Sequence, residues 1–201
     1  MLVETVYGGF ECVGLEFENN IFLFNPTEDF KCRIKTRGKR IYLFKTLPDI
    51  TLKSFKNSTV FEPPDAKQEF KLTKTIENGI EISTYPNKRS YAVLIKRGKF
   101  RFLYIDSNYM GNVSNDLIAD IVSDLKKFFV RRIDIAYLPI IPGENLSTKR
   151  TLLDLKPRRF APLLPTNNVN LIEEFARKNI FEKTAILVYD GKCDRFRFNL
   201  I

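Results

Sequence analysis

The feature that most constrains the fold is the alternation of apolar and polar residues in the first 106 residues. In segments such as KLTKTIE and IEISTYP, apolar and polar residues alternate, and this alternation is typical of β-strands with one buried face. The dipeptides Asn-Asn at 19–20, Asn-Gly at 78–79 and Arg-Gly at 97–98 separate such segments and predict tight turns. We therefore expect the first hundred residues to form mainly antiparallel sheet.

After residue 106 the pattern changes to helices that alternate with short strands. Apolar spacing predicts a helix that begins at Ser114 or Asn115, a second that is capped by Ser147 and stopped by Pro157, and a third near Leu171. IDIAYLPII and RRFAPLL read as strands between these helices. TAILVYD and CDRFRFNL flank an Asp-Gly dipeptide and predict a closing hairpin. Sheet and helices are expected to form a single domain that covers residues 1–201.

The chain contains no histidine, and this excludes several kinds of site. A Ser-His-Asp triad, a histidine general base and a histidine-ligated zinc are all impossible. The three cysteines are far apart and form no CxxC pair, so we expect three reduced, buried thiols and no cofactor.

Two further features of the sequence predict the cellular location of the protein and the kind of organism that it comes from. No apolar run is long enough to span a bilayer and the first residues do not resemble a signal peptide, so a cytoplasmic protein without membrane contact is expected. A single Gln and two Met are typical of a thermophilic source.

Positive charge is concentrated between residues 31 and 56. This window contains nine Lys or Arg and a single acidic residue, so its local charge is +8. If the segment is an extended strand, one face carries the cations. The predicted binding residues are Lys31, Arg33, Lys35, Arg37, Lys39 and Arg40. Such a stripe suits nucleic acid, with Phe30, Tyr42 and Phe55 available to stack bases, or an acidic protein partner. The alternative is an exposed edge strand that is protected from aggregation by its charge.

Four motifs in order resemble the metallo-β-lactamase superfamily, most closely its small single-domain hydrolases related to lactonases. GGFECVGLE is similar to the first strand pair, with Gly9 retained and Phe10 at a histidine position. NIFLFNP is similar to Leu-Ile-Asp-Pro, with Asn25 at the aspartate position. IDIAYLPI resembles Asp-Val-Ala-Leu-Leu-Pro-Ile, and LKPRRFAPLL resembles the segment that leads to Pro-Met-His. The resemblance implies an α+β fold: a four-layer αββα sandwich of two mixed sheets flanked by helices.

The resemblance also places the metal-ligand positions of that family on this chain. Its His-x-His-x-Asp-His motif falls on residues 45–50, its bridging aspartate on Asp106 and its last histidine on Leu164. The vestigial metal-site positions are therefore Lys45, Leu47, Asp49, Ile50, Asp106 and Leu164. Only the two aspartates keep a ligand side chain. Lys45 is expected to pair with one of them, while the leucines and Ile50 pack as an apolar plug.

Two functions follow from this reading. The first is a non-catalytic protein that has lost its metals and acts as a binding protein or as a subunit of a complex. The second is a hydrolase with an altered site, in which Asp49 and Asp106 bind Mg²⁺ or another hard cation. The two aspartates can also act only as strand-end carboxylates that cap turns or pair with Lys.

Overall fold

The contact pattern of the computed structural model divides the chain into two compact units. The first comprises Met1–Pro63 with Tyr189–Ile201, and the second comprises Pro64–Val188. The structure describes residues 1–9, 11–47, 49–62, 72–76, 79–87, 90–110, 119–121, 123, 132–143, 145–164, 168–189, 191 and 193–199.

The first unit is built on a six-stranded mixed sheet with the order β13-β1-β2-β3-β4-β5. Its strands are β1 (Leu2–Gly9), β2 (Cys12–Phe17), β3 (Asn20–Phe24), β4 (Arg40–Phe44), β5 (Ser58–Phe61) and β13 (Arg195–Asn199). The predicted antiparallel pairing is confirmed for β2 and β3, but β3, β4 and β5 pair in parallel. A parallel pair needs a long crossover, and the residues between β3 and β4 supply one.

One face of this sheet is a row of packed aromatic rings. Ring centroids lie 5.1 Å apart for Phe22 and Tyr42, 4.7 Å for Phe24 and Phe44, and 4.7 Å for Phe44 and Phe61. The register pairs Phe22 with Tyr42 and Phe24 with Phe44 across neighbouring parallel strands. These rings therefore lie on one side of the sheet and bury large apolar areas there.

The crossover between β3 and β4 is anchored to the other face of the sheet. Phe30 and Cys32 are buried in the core there, and Ile34 packs against the same cluster. Close approach of Phe30 depends on Gly8, because a Cβ at that position would lie 2.5 Å from Phe30 Cδ2. The burial of alternate residues leaves Lys31, Arg33, Lys35 and Arg37 exposed.

The expected alternation of the basic segment is thus confirmed, but its assignment to a strand is wrong. Residues 31–36 have no regular secondary structure and pair with no strand, whereas the edges of this sheet are β5 and β13. The edge-strand explanation of the charge is therefore also wrong. Side-chain anchoring, rather than ladder hydrogen bonds, produces the period of two.

A disulfide joins Cys32 to Cys193 across 161 residues, with 5.1 Å between the Cα atoms. The expectation of three reduced thiols is therefore wrong, and only Cys12 is free. Cys193 is brought to this place because its N–H donates to the Tyr7 carbonyl at 2.7 Å and β13 pairs with β1. The spacing of the cysteines in the sequence does not predict this tertiary contact.

The second unit contains a seven-stranded mixed sheet and three described helices. In the order β12-β11-β10-β9-β8-β7-β6, the strands from β9 to β12 are parallel and those from β6 to β9 are antiparallel. The elements are β6 (Leu72–Ile76), β7 (Ile80–Asn87), β8 (Ser90–Arg97), β9 (Phe100–Tyr104), β10 (Ile135–Pro139), β11 (Arg159–Leu163), β12 (Ala185–Ile186), α1 (Ser107–Met110), α2 (Leu146–Leu155) and α3 (Asn170–Lys178).

The helices of this unit share one hydrophobic core with the sheet. Tyr109 of α1, Leu152 of α2 and Phe175 of α3 belong to one buried cluster with Leu94 and Phe160 of the sheet. The expected α+β class with two mixed sheets and helices is confirmed. The helix predicted from residue 114 lies largely outside the described residues, although 119–121 and 123 are helical.

Two local predictions in the second half of the chain are wrong. β12 pairs in parallel with β11, while β13 pairs with β1 in the other unit, so the predicted closing hairpin does not form. Helix α2 starts at Leu146 with Asn145 as its N-cap, two residues before the expected cap at Ser147. Its end is as predicted, because Lys156 adopts a left-handed conformation with φ of 44° just before Pro157.

We predict that the disulfide stabilises the fold. Replacing both Cys32 and Cys193 by Ser should lower the free energy of unfolding by about 2–4 kcal/mol, because the bond restricts a very long loop in the unfolded chain. Urea unfolding with and without reductant measures this change. The double variant should be insensitive to reductant, and identical midpoints for the parent protein in both conditions would contradict the prediction.

Candidate functional site

The loop that corresponds to the family's metal motif is held by a buried amide. Asn25 donates from Nδ2 to Thr46 Oγ1 at 2.8 Å, and its Oδ1 accepts from the N–H groups of Thr46 at 2.8 Å and Leu47 at 3.3 Å. Asn25 has a φ of 47°, a left-handed conformation that asparagine adopts more readily than most residues. A neutral hydrogen-bond clamp thus fixes this loop.

The other vestigial positions of this loop do not form the expected ion pair. Lys45 is half-buried and donates its N–H to the Phe61 carbonyl at 2.9 Å, whereas Asp49 is exposed. The expected pair between Lys45 and Asp49 is therefore wrong. The alternative pair between Lys45 and Asp106 stays a prediction. Leu47 is buried, and Ile50 is half-buried.

Asp106 is fully buried in the second unit and acts as a helix cap. Its Oδ2 accepts from Ser90 Oγ at 2.6 Å, and its Oδ1 accepts from the N–H of Tyr109 at 2.8 Å. Its backbone carbonyl accepts from the N–H of Met110. Asp106 therefore satisfies donors at the start of α1, as an Asp N-cap does. Leu164, at the last histidine position, is also fully buried.

The donor set at these positions does not fit the metals of the family. Lys45 offers an ammonium group, and Leu47, Ile50 and Leu164 offer only hydrocarbon. Zinc in proteins requires thiolate, imidazole or carboxylate donors, usually three or four of them. Within the described part of the chain, no group of three or more Asp, Glu or Cys side chains is close enough to hold an ion.

A cleft of about 420 Å³ lies on the first unit beside the crossover. Five cations and two carboxylates line it: Arg33, Lys35, Lys39, Arg195, Arg197, Glu4 and Glu16. Its formal charge is therefore +3. A concave surface with excess positive charge favours anions. We call it the cationic cleft.

Ion pairs occupy both carboxylates of the cationic cleft. Glu4 accepts from Arg195 and Arg197, and Glu16 accepts from Lys39. Burial by itself would raise the pKa of Glu4, but the hydrogen bonds and charges of Arg197 and Arg195 hold this pKa below its ordinary value. Glu4 is therefore ionised at neutral pH and balances part of the charge of β13.

The two sides of the cleft are joined covalently and by a hydrogen bond. Arg195 Nη2 donates to the Arg33 carbonyl, and the disulfide joins Cys32 to Cys193. Neither Arg33 nor Lys35 forms an ion pair with any part of the chain that the structure describes. Two cationic side chains on the crossover side thus remain available to an external anion.

The structure brings together only part of the predicted stripe. Arg33, Lys35 and Lys39 line the cleft, whereas Lys31, Arg37 and Arg40 are exposed outside this lining. The predicted base-stacking role is wrong for Phe30 and Tyr42, because both rings are buried, and Phe55 packs partly into the core.

Sequence reasoning missed Arg195 and Arg197. The segment RFRFN carried a usable signal, because residues two apart on a strand share one face. What it lacked was the pairing of β13 with β1, which places these arginines beside the crossover.

Charged side chains also pair with one another at one end of the sheet in the second unit. Lys96 is buried and pairs with Glu81 on the neighbouring strand. Asp134 accepts from the N–H of Arg101 at 2.9 Å and lies 3.5 Å from Arg158. Burial raises the pKa of Asp134, although these partners oppose the shift. Because these charges have protein partners, we interpret them as structural.

None of the helices in the described ranges has the length and apolarity needed to cross a bilayer.

Comparison with known proteins shows the fold. No protein-family profile and no curated protein matches the sequence. Among solved structures, YhfI of Bacillus subtilis, a metallo-β-lactamase fold protein, matches with a TM-score of 0.58 and 10% identity over 98% of this chain and 100% of its own. Igni18, a metallo hydrolase of Ignicoccus hospitalis, matches with a TM-score of 0.57 and 10% identity over 100% of both chains.

A third structure gives the same result. A protein of the metallo-β-lactamase superfamily from Thermotoga maritima matches with a TM-score of 0.58 and 10% identity over 92% of this chain and 98% of its own. At this identity the likeness concerns the fold, and it extends over nearly the full length of each chain. The chain therefore has the metallo-β-lactamase fold.

Proposed function

We propose that this protein is a non-catalytic metallo-β-lactamase-fold protein that binds nucleic acid through its basic segment at residues 31–40. It acts as a binding protein or as a subunit of a complex. The former metal loop holds its shape by hydrogen bonds, and the cationic surface of the first unit provides the interaction. An acidic protein partner is the competing ligand for the same surface.

The observation that carries this proposal is the clamp formed by Asn25. It donates one hydrogen bond to Thr46 and accepts two from the backbone of Thr46 and Leu47, and these partners are uncharged. A metal-binding loop instead presents charged or lone-pair donors to the ion. The loop is thus stable without the coordination that fixes it in relatives with histidine ligands.

Nucleic acid is favoured over a small anion because the positive charge extends beyond one pocket. Lys31, Arg33, Lys35 and Arg37 all point away from the core, since the residues between them are held on it. A run of exposed cations matches the repeated charges of a phosphate backbone. Contacts to the phosphate backbone do not distinguish one base from another, so weak sequence preference is expected.

The alternative is a hydrolase that uses Asp49 and Asp106 with Mg²⁺. Against it, both carboxylate oxygens of Asp106 accept hydrogen bonds from the protein, and Asp49 is exposed. A hard cation would have to compete with the cap of α1 for the same oxygens. We therefore treat the altered hydrolase as the outcome that the metal test must exclude.

The metal test is direct. Protein purified without chelator and dialysed against Zn²⁺, Mn²⁺ or Mg²⁺ should retain far less than one ion per chain by elemental analysis. Asn25→Asp, which restores the carboxylate found in the family, should retain no more, because the other ligand positions stay unsuitable. Stoichiometric metal together with hydrolysis that is lost in Asp106→Ala would overturn the proposal.

The clamp can be tested by stability. Asn25→Gly keeps the left-handed backbone accessible but removes three hydrogen bonds from buried groups, so the free energy of unfolding should fall by about 2–4 kcal/mol. Asn25→Ala should lose slightly more because of its φ. Chemical denaturation measures both variants, and an Asn25→Gly variant as stable as the parent would show that the clamp contributes little.

Binding should be steeply dependent on salt. Four phosphate contacts predict an affinity loss of about 50-fold or more between about 50 and 200 mM salt, because each contact releases counterions. Fluorescence anisotropy with labelled single- and double-stranded 20-mers measures this slope. Replacing Lys31, Arg33, Lys35 and Arg37 by Ser should remove most of the affinity.

A charge-matched control separates local charge from net charge. Lys99, Arg150, Arg177 and Lys183 are exposed cations of the second unit. Their replacement by Ser lowers the net charge equally and should leave affinity within about twofold, because none of these residues belongs to the basic segment. Equal losses in both quadruple variants, or no binding of the parent at low salt, would contradict the proposal.

A further inference from the structure

The cationic cleft has a composition that the basic segment alone does not explain. One side is the crossover with Arg33 and Lys35, and the other side is β13 with Arg195 and Arg197. These groups come from segments about 160 residues apart, yet they line one concave surface of about 420 Å³. A protective or solubilising charge does not require such convergence on a concave surface.

The floor of the cleft lies between these sides and carries the two acids. Glu4 and Glu16 face each other across β1 and β2 and are held by Arg195, Arg197 and Lys39. These ion pairs fix the orientation of three cations. Arg33 and Lys35 add two further cations that have no carboxylate partner in the described chain.

We propose that the cationic cleft binds a phosphate group of a nucleic-acid backbone between the crossover and β13, and that the Cys32–Cys193 disulfide preorganises it. This inference rests on the proposed function and assigns it a specific site. Guanidinium groups suit phosphate because their planar N–H donors bind two oxygens at once. Arg33 on the crossover and Arg197 on β13 best meet this need from opposite sides. Arg197 donates only its Nε to Glu4, whereas Arg195 donates its two terminal nitrogens to Glu4 and to the Arg33 carbonyl.

The disulfide has a direct mechanical role in this arrangement. Cys32 directly precedes Arg33, and Cys193 lies two residues before Arg195. The bond therefore fixes the separation of the two basic segments before any ligand binds, and less conformational entropy is lost on binding. Reduction leaves the cations in place but loosens one side of the cleft relative to the other.

The main experiment is a double-mutant cycle in anisotropy with a single-stranded 20-mer at low salt. Arg33→Gln with Lys35→Gln removes the crossover side, and Arg195→Gln with Arg197→Gln removes the β13 side. Each pair should weaken binding roughly tenfold and reduce the salt slope by about one or more. Because both sides hold the same phosphate, the quadruple variant should lose less than the product of the two losses.

A gain of affinity gives a second test that misfolding cannot imitate. Glu16→Gln removes a carboxylate from the floor and releases Lys39, so affinity should rise roughly two- to fivefold. Glu182→Gln in the second unit is the matched control, because Glu182 is exposed and does not line the cleft. Unchanged affinity in Glu16→Gln would count against the cleft.

Redox state gives a third test. Reduction, or replacement of Cys32 and Cys193 by Ser, should weaken binding roughly three- to tenfold through lost preorganisation. Circular dichroism at the assay temperature must show that the variants stay folded. The Cys12→Ser variant keeps the disulfide and should bind like the parent when oxidised and more weakly when reduced.

The outcomes separate the cleft from the proposed function. If binding depends on the Lys31–Arg37 cations but not on Arg195, Arg197, Glu16 or redox state, the cleft proposal fails and the proposed function stands. If inorganic phosphate binds more strongly than chloride at equal ionic strength while neither oligonucleotide binds, the site recognises free phosphate and the nucleic-acid function fails. Tighter binding of polyglutamate than of either oligonucleotide would overturn both.

Discussion

The burial of alternate residues in the crossover between β3 and β4 determines where this protein carries its positive charge. Phe30 and Cys32 are fixed in the core and Ile34 packs on it, so the residues between them must face solvent. No ladder hydrogen bonds help, because the segment pairs with no strand. The disulfide and Gly8 belong to the same constraint, since the disulfide holds Cys32 in place and the absence of a side chain at Gly8 admits the Phe30 ring.

The loop at Thr46 and Leu47 is held by hydrogen bonds between uncharged groups rather than by opposite charges. Coordination normally offsets the cost of converging lone pairs and charges at one point. Here Asn25 supplies one donor and one acceptor to uncharged partners, so no charge has to be neutralised. Asp106 keeps its carboxylate but uses it on Ser90 and on the first turn of α1. Both side chains are therefore satisfied by hydrogen bonds from within the protein.

Local patterns predicted local structure, and tertiary contacts decided the rest. The β2–β3 and β8–β9 hairpins followed from alternation and turn residues, because both signals lie within a few residues of the pairing. The Cys32–Cys193 bond and the place of β13 did not, since each depends on residues more than 150 positions apart. For the site, exposure of the basic segment was predictable, whereas its arginine partners on β13 were not.

The carboxylates of the cationic cleft explain how five cations share one small surface. Without Glu4 and Glu16, the like charges that line one small cleft would repel and destabilise both the β1–β13 pairing and the anchored crossover. With them, three cations are held in pairs and a net charge of +3 remains. Because the pKa of Glu4 is lowered, its charge persists to a lower pH than that of an ordinary Glu. Glu4 and Glu16 therefore stabilise the sheet but weaken the attraction of the cleft for anions. The number of acidic residues in the cleft determines the balance between these two effects.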